Sequence, residues 1–301
     1  RHLRTSGRRG LELLEVALEL LVEELPLRAR IVEGDRTDLL GVLVEQDATR
    51  VALGIVCDFL DLLARLYIEA HERSRLAAER REREHRLAIL GEGNTSARIS
   101  GDEFLVKASG SCLASLEPEQ VTCCRFEQVL TLLQDREVPF SNEEVDEVLL
   151  SSRIDPGSKK PSIETMFHAW LLTLEGVDFV GHCHSEAANR ILCSSRARDF
   201  AEHRIFPDEI VCCGRASVFV ENCDTGLPLA LEIRRQTLDF IRKHGEAPRL
   251  ILLESHGIIA LGKTADAVLA CTFMADKAAS IFEGAAALGG PVFLPQEQVQ
   301  R

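Results

Sequence analysis

No Cys-x-x-Cys spacing occurs among the ten cysteines of this 301-residue chain, and four of the ten form adjacent pairs, Cys123-Cys124 and Cys212-Cys213. With several of the others set in apolar runs, that pattern argues against a secreted disulfide framework. It predicts buried free thiols in a reducing compartment. The chain is also short of basic charge: 35 Lys and Arg stand against 48 Asp and Glu, a formal net charge of −13. No nucleic-acid or anionic-membrane role is expected of such a balance, and an anionic substrate would have to be held locally. Nor is there an uninterrupted apolar run long enough to cross a membrane. The most apolar stretch, Val51 to Ile68, carries Asp58, Asp61 and Arg65, and Glu12, Glu15 and Glu19 break the segment that follows the basic N-terminus. Each charge would cost a few kcal/mol (~3) at a bilayer centre, so no membrane span and no secretory signal is expected, and the protein reads as soluble and cytoplasmic. Internal repeats, low-complexity segments, the P-loop and the dinucleotide fingerprint are all missing.

What is there is an ordinary globular composition, 46% hydrophobic and 28% charged, enough to bury a core. Leucines at 14, 18, 21 and 25 predict an amphipathic helix that Pro26 stops; Leu39 to Val44 could be a strand. From Thr49 a second helical pattern becomes nearly all charge after His71, with both signs interspersed, as on a solvated helix face. Beyond Leu87 the texture changes. Short apolar strands (Phe104–Val106, Val177–Val180, Ile210–Cys212, Val218–Val220, Leu250–Leu253, Ile258–Leu261) alternate with helices expected at Ser162–Leu174, Ser185–Cys193, Leu227–His244 and Thr264–Leu288. Ser141-Asn142-Glu143-Glu144 is a capping box that opens another helix. This alternation predicts an α/β layered domain over residues 86–301, preceded by a helical N-terminal segment, 1–85, with no assignable role.

Five stretches could carry chemistry. In Gly181-His182-Cys183-His184, strand alternation turns His182 and His184 to one face, as a chelating pair requires, and turns Cys183 away. Gly91-Glu92-Gly93-Asn94-Thr95-Ser96-Ala97-Arg98 and Lys107-Ala108-Ser109-Gly110-Ser111 offer small residues, hydroxyls and amides to an anion, and are equally well read as tight turns. Pro161-Ser162-Ile163-Glu164 opens a helix on which Glu164 and His168 share a face, although the helix dipole alone explains a carboxylate there. His256 lies between two apolar strands and is followed by Gly257, where a histidine is either a satisfied core residue or a ligand.

The ordered set Gly-Asn-x-Ser-x-Arg, Ser-Gly, Pro-Ser-x-Glu-x-x-x-His, His-x-His and His-Gly-Ile-Ile-Ala-x-Gly resembles the class II aldolase and adducin family over about Leu87 to Leu294. The resemblance implies α/β/α layers around a central, mainly antiparallel sheet. It implies a divalent metal, usually Zn²⁺, on His182, His184 and His256, with Glu164 as a fourth ligand that becomes the acid/base when substrate displaces it. Substrate or phosphate would bind at Gly93, Asn94, Ser109, Gly110 and Ser162. The implied activity is reversible aldol cleavage of a ketose or ketose phosphate through a stabilised enediolate. The alternatives are a sugar-phosphate 4-epimerase, another metal-enolate lyase, or a non-catalytic adducin-like assembly module. A homo-oligomer, in the family commonly a tetramer, is expected, with a small sugar or sugar phosphate as partner. Two departures stand out. Ile163 replaces a serine often found in the phosphate site, and the one tyrosine, Tyr67, lies outside the matched motifs, so the proton donor to a leaving aldehyde is unassigned.

Overall fold

In a computed structural model of the chain, residues 87, 91–113, 116–136, 138 and 140–300 are described. The helices expected near residues 11–25 and 49–86, and the strand expected at 39–44, lie outside the described residues. The elements run β1 (Asn94–Arg98), β2 (Glu103–Lys107), β3 (Val121–Arg125), α1 (Phe126–Leu130), α2 (Asn142–Ser151), α3 (Thr165–Leu171), β4 (Phe179–Cys183), α4 (Glu186–Leu192), α5 (Ala197–Glu202) and α6 (Pro207–Cys213). They continue with β5 (Val218–Val220), α7 (Leu227–His244), β6 (Leu250–Leu253), β7 (Gly257–Gly262), α8 (Ala265–Ala287) and α9 (Gln296–Val299). The described strands form a seven-stranded sheet in the order β3-β2-β1-β4-β7-β6-β5. Every neighbouring pair is antiparallel except β5 and β6, which are parallel.

Strand alternation builds two cores. Ala97, Leu105, Phe179, Cys183, Leu250, Leu252, Ile258 and Ala260 pack on one face against α4, α5 and α8. Phe104, Val106, Val180, Ile251, Leu253, Ile259 and Leu261 pack on the other against α1, α2, α3 and α7. Successive residues along β6 and β7 thus belong to opposite cores, which is why these strands are apolar throughout, as a sheet covered on both faces requires. The result is an α/β/α sandwich. At 25 cal/mol per Å² or so, each large aliphatic residue so buried contributes on the order of 2 kcal/mol.

Several expectations shift in detail. Ile210–Cys212 is not a strand but the end of helix α6, with Pro207 in its first turn, Asp208 and Glu209 beside it, and Gly214 at positive φ just past its end. Those are helix start and stop signals, and they outweigh a three-residue apolar run. Polar Asn94–Arg98, part of a stretch equally well read as a tight turn, is an inner strand between β2 and β4. The strand expected at Val177–Val180 begins two residues later and carries on through His182. The capping box is present: the Ser141 hydroxyl accepts from Glu144 N, and the Glu144 carboxylate accepts from Ser141 N at 2.7 Å. All nine described cysteines are free thiols, and no helix among the described residues is long and apolar enough to cross a membrane.

Candidate metal centre

The middle of the sheet sets the site. β4 pairs with β1 on one side and β7 on the other, with Asn94 opposite His182 and Ile259 opposite His182. His184 lies one alternation beyond His182, and His256 immediately precedes β7, so three imidazoles meet at one end of the central strands. Their ring centroids are 4.8–5.0 Å apart, with steep interplanar angles. Glu164, at the N-terminus of α3, completes the group from the layer above. One ligand atom from each of Glu164, His182, His184 and His256 falls within 4.8 Å of the others.

The close approach depends on two glycines. A Cβ at Gly257 would lie 2.5 Å from the Cys183 carbonyl oxygen and 3.2 Å from the His182 ring. Gly93, at φ +79°, would bring a Cβ to 2.7 Å from the His182 carbonyl oxygen. At both places the backbone of a neighbouring strand takes the space a side chain would need.

The donor set fits a divalent cation. His182 Nδ1 donates to the Ile258 carbonyl at 2.9 Å, which leaves Nε2 as the free lone pair. That Nε2 is 3.1 Å from His184 Nε2 and 3.3 Å from Glu164 Oε1, while His256 Nε2 is 3.9 Å from the same carboxylate oxygen. Tetrahedral bonds of about 2.1 Å hold donor atoms about 3.4 Å apart, so these separations suit a shared ion. Protonation points the same way. Burial pushes the His184 imidazole down to about 4, with His182 and His256 adding to the effect. Burial also lowers His256, helped by His182. Both rings are therefore neutral near pH 7, the state a metal ligand must have. His182 is the exception: burial opposes its charge, but the Glu164 carboxylate and the Ile258 carbonyl lift it above the usual histidine value. Burial would raise Glu164, but His182, through its charge and hydrogen bond, and then His168 and His256 hold the carboxyl well below the usual carboxylate range.

His168 stands outside the cluster. Fully buried and stacked on Phe167, it places Nδ1 2.7 Å from Ser96 Oγ, and burial pushes it down to about 3. Cys183 faces the opposite core, as strand alternation requires.

The expected substrate positions fall into two groups beside this centre. Gly93 and Asn94 lie against His182; the Asn94 side chain accepts from Thr95 N, and its buried Nδ2 has no hydrogen-bond partner. Ser109, Gly110 and Ser162 come together because Ser109 N donates to Lys160 O, Ser162 N donates to Lys107 O, and Ala108 bridges Pro161. Glu164 N donates to Ser162 Oγ at 3.3 Å, and Gly110 borders open space. Ile163 is 44% exposed, its side chain directed toward Gly226. Lys107, which the sequence reading passed over as the start of a turn, ties the two groups together: its buried Nζ donates to Gly91 O at 3.4 Å and to Ser111 O at 2.8 Å. A lysine closing an apolar strand was the available signal. Burial lowers the Lys107 pKa, and the Glu164 charge opposes that.

The profile of the family described as Class II Aldolase and Adducin N-terminal domain matches residues 74–282. The chain belongs to the class II aldolase and adducin family. Among solved structures, an L-fuculose 1-phosphate aldolase superposes with a TM-score of 0.55 at 16% identity, covering 81% of this chain and 93% of that one. The N-terminal class II aldolase domain of a protein from Thermoplasma acidophilum superposes at 0.51 with 24% identity, covering 65% and 85%. Both likenesses concern the fold. A curated relative, "Uncharacterized oxidoreductase YuxG" of Bacillus subtilis, is 28% identical over 184 residues, 58% of this chain. That match spans only 24% of the relative's length. The cluster of three histidines and Glu164 is one that could hold a divalent metal.

Proposed function

We propose that the protein is a divalent-metal-dependent aldehyde-lyase that reversibly cleaves a ketose or ketose phosphate, with Zn²⁺ as the leading candidate ion. The observation that carries this reading is the convergence of Glu164 with three imidazoles, two of them held neutral, at the end of the central strands. His182, His184 and His256 would hold the ion, and three neutral imidazoles leave a coordination position open, as catalytic sites do. Bound there, the ion would supply Lewis acidity toward a substrate carbonyl.

The remaining chemistry belongs to the chain. Glu164 is ionised and sits at the helix start facing the cluster, so in this reading it removes and returns the proton on the carbon next to the carbonyl. Asn94 Nδ2, buried without a partner, is a donor that a substrate oxygen would satisfy. The hydroxyls of Ser109 and Ser162 and the open turn at Gly110 would hold the far end of the substrate. The partly exposed Ile163 offers no hydrogen-bond donor to a phosphate there. The family's epimerisation reading uses the same groups and is separated by product, since an epimerase releases no free aldehyde.

The test is metal content together with cleavage of a panel of phosphorylated and unphosphorylated ketoses. Stoichiometric metal and aldehyde release are expected. Metal-loaded protein that releases no aldehyde and never exchanges the α-proton of dihydroxyacetone phosphate would overturn the proposal. The same behaviour with an unchanged His256→Ala variant would instead favour a non-catalytic assembly module.

A further inference from the structure

Two of the imidazoles come from the end of β4 and the residue just past it, but the third comes from a turn 72 residues later in the sequence, and something must fix its distance from the others. We infer that Asn189 is the positioning residue for His256, with α4 as the strut between the two halves of the centre; this rests on the metal reading above. The strut starts at the first half. Ser185, directly after His184, caps α4: its Oγ accepts from Ala188 N at 3.1 Å and donates to the Asp276 carboxylate of α8 at 2.6 Å. Both ends of that contact are buried.

One turn on, the strut reaches the second half. Asn189 Nδ2 donates to the His256 carbonyl oxygen at 3.0 Å, and the last residue of α4, Leu192, accepts from Ser255 N at 3.2 Å. The turn they hold is under strain. Ser255 has φ +57°, and it alone among the described non-glycine residues has positive φ. Such a conformation costs about 1–2 kcal/mol, so the turn keeps it only while its surroundings hold it there.

Asn189 is a poor choice for stability alone. Its Oδ1 is buried with no hydrogen-bond partner, an arrangement that costs about 1–3 kcal/mol. Its amide instead donates to the carbonyl of a candidate ligand residue. His184 and His256 are thereby referenced to the same seven-residue helix. His182 is referenced to β7 through Ile258.

The experiment compares wild type, Asn189→Leu, Asn189→Ser and a control, Ser152→Ala. The control removes a different buried hydrogen bond, Ser152 Oγ to Leu149 O at 2.8 Å, next to the edge strand β3. Zn²⁺ affinity is measured by chelator competition, and the coordination geometry is read from the visible spectrum of the Co²⁺-loaded protein. Asn189→Leu keeps the volume without the donor; Asn189→Ser leaves room for a water and covers the case in which the leucine variant does not fold. A loss of roughly tenfold or more in Zn²⁺ affinity, with an altered Co²⁺ spectrum, is expected of the Asn189 variants and not of Ser152→Ala. Wild-type affinity and spectrum in a folded Asn189 variant would overturn the inference, as would an equal loss in the control. Either result leaves the proposed function standing if wild type binds metal. Wild type that binds none removes both.

Discussion

Replacing Gly257 by alanine should break the candidate centre without touching any of its four donor residues. The added Cβ would lie 2.5 Å from the Cys183 carbonyl oxygen, 3.0 Å from the His184 ring and 3.2 Å from the His182 ring. Backbone oxygen cannot swing aside as a side chain would. The start of β7 must therefore retreat from β4 by about 0.7 Å or more to reach ordinary contact. That strand carries Ile258, whose carbonyl orients His182, and His256 is the residue just before it. Metal–ligand distances tolerate only about 0.2 Å, so a retreat of that size exceeds the tolerance severalfold. Overpacking of this kind costs about 1–3 kcal/mol, and the lower chain entropy of unfolded alanine returns about 0.5 kcal/mol of it.

The assay is thermal unfolding of metal-free protein, with and without added Zn²⁺. For a domain of this size the expected net loss lowers Tm by roughly 5 °C. In wild type the ion should raise Tm by mass action, and in Gly257→Ala that increment should shrink or vanish. Gly284→Ala is the counterpart. It sits within α8, and an added Cβ would meet nothing within 4 Å, so a gain of about 0.5–1 kcal/mol and an unchanged Zn²⁺ increment are expected. A Gly257→Ala protein with wild-type Tm and a wild-type Zn²⁺ increment would refute the reasoning, because it would mean the two strands can part without consequence.

Two further outcomes are expected. Glu164→Gln should keep the three imidazoles and still bind metal, while exchange of the substrate α-proton falls by roughly 10²–10⁴-fold; deuterium incorporation followed by NMR measures it, and near-normal exchange would remove Glu164 from its role. The second concerns acid. Burial holds His168 down to about 3 in the folded protein, whereas its unfolded value is about 6.5. Between those limits the unfolded chain binds a proton that the folded chain lacks, so stability is complete above the unfolded value and is lost as pH falls. His168 alone should withdraw about 2 kcal/mol between pH 7 and pH 5. Urea midpoints of metal-free protein at those two pH values check this, and His168→Gln should flatten the slope; an equally steep variant would assign the acid sensitivity elsewhere.

How much of this was legible in the sequence follows from the range of each interaction. Alternation along one strand is local, so the shared face of His182 and His184 and the outward turn of Cys183 could be read directly. Leu227–His244 was legible to the residue, because an amphipathic repeat ends there at a glycine in the left-handed conformation. Strand β1 was missed for the opposite reason. Two of its polar residues are satisfied by distant partners, Ser96 by His168 and Thr95 by the Val180 carbonyl, and nothing local announces that such residues are buried. Lys107 was hidden likewise, since its two carbonyl partners flank turns that only the fold brings together.

The same reasoning explains why the site required the whole set of motifs. Three of its four candidate ligands have their geometry set by groups distant in sequence. The ring of His182 is set by a carbonyl on β7, His256 by an amide on α4, and the carboxylate of Glu164 by the rings it faces. Each segment alone is an ordinary turn, cap or strand end. Joined across β1, β4 and β7, they confine four donor atoms within 4.8 Å, and burial, reinforced by repulsion among the imidazoles, keeps two of them neutral. A centre built this way is sensitive to the spacing of its strands more than to the identity of any surface residue. A backbone glycine such as Gly257 is therefore expected to matter to metal binding as much as a ligand does.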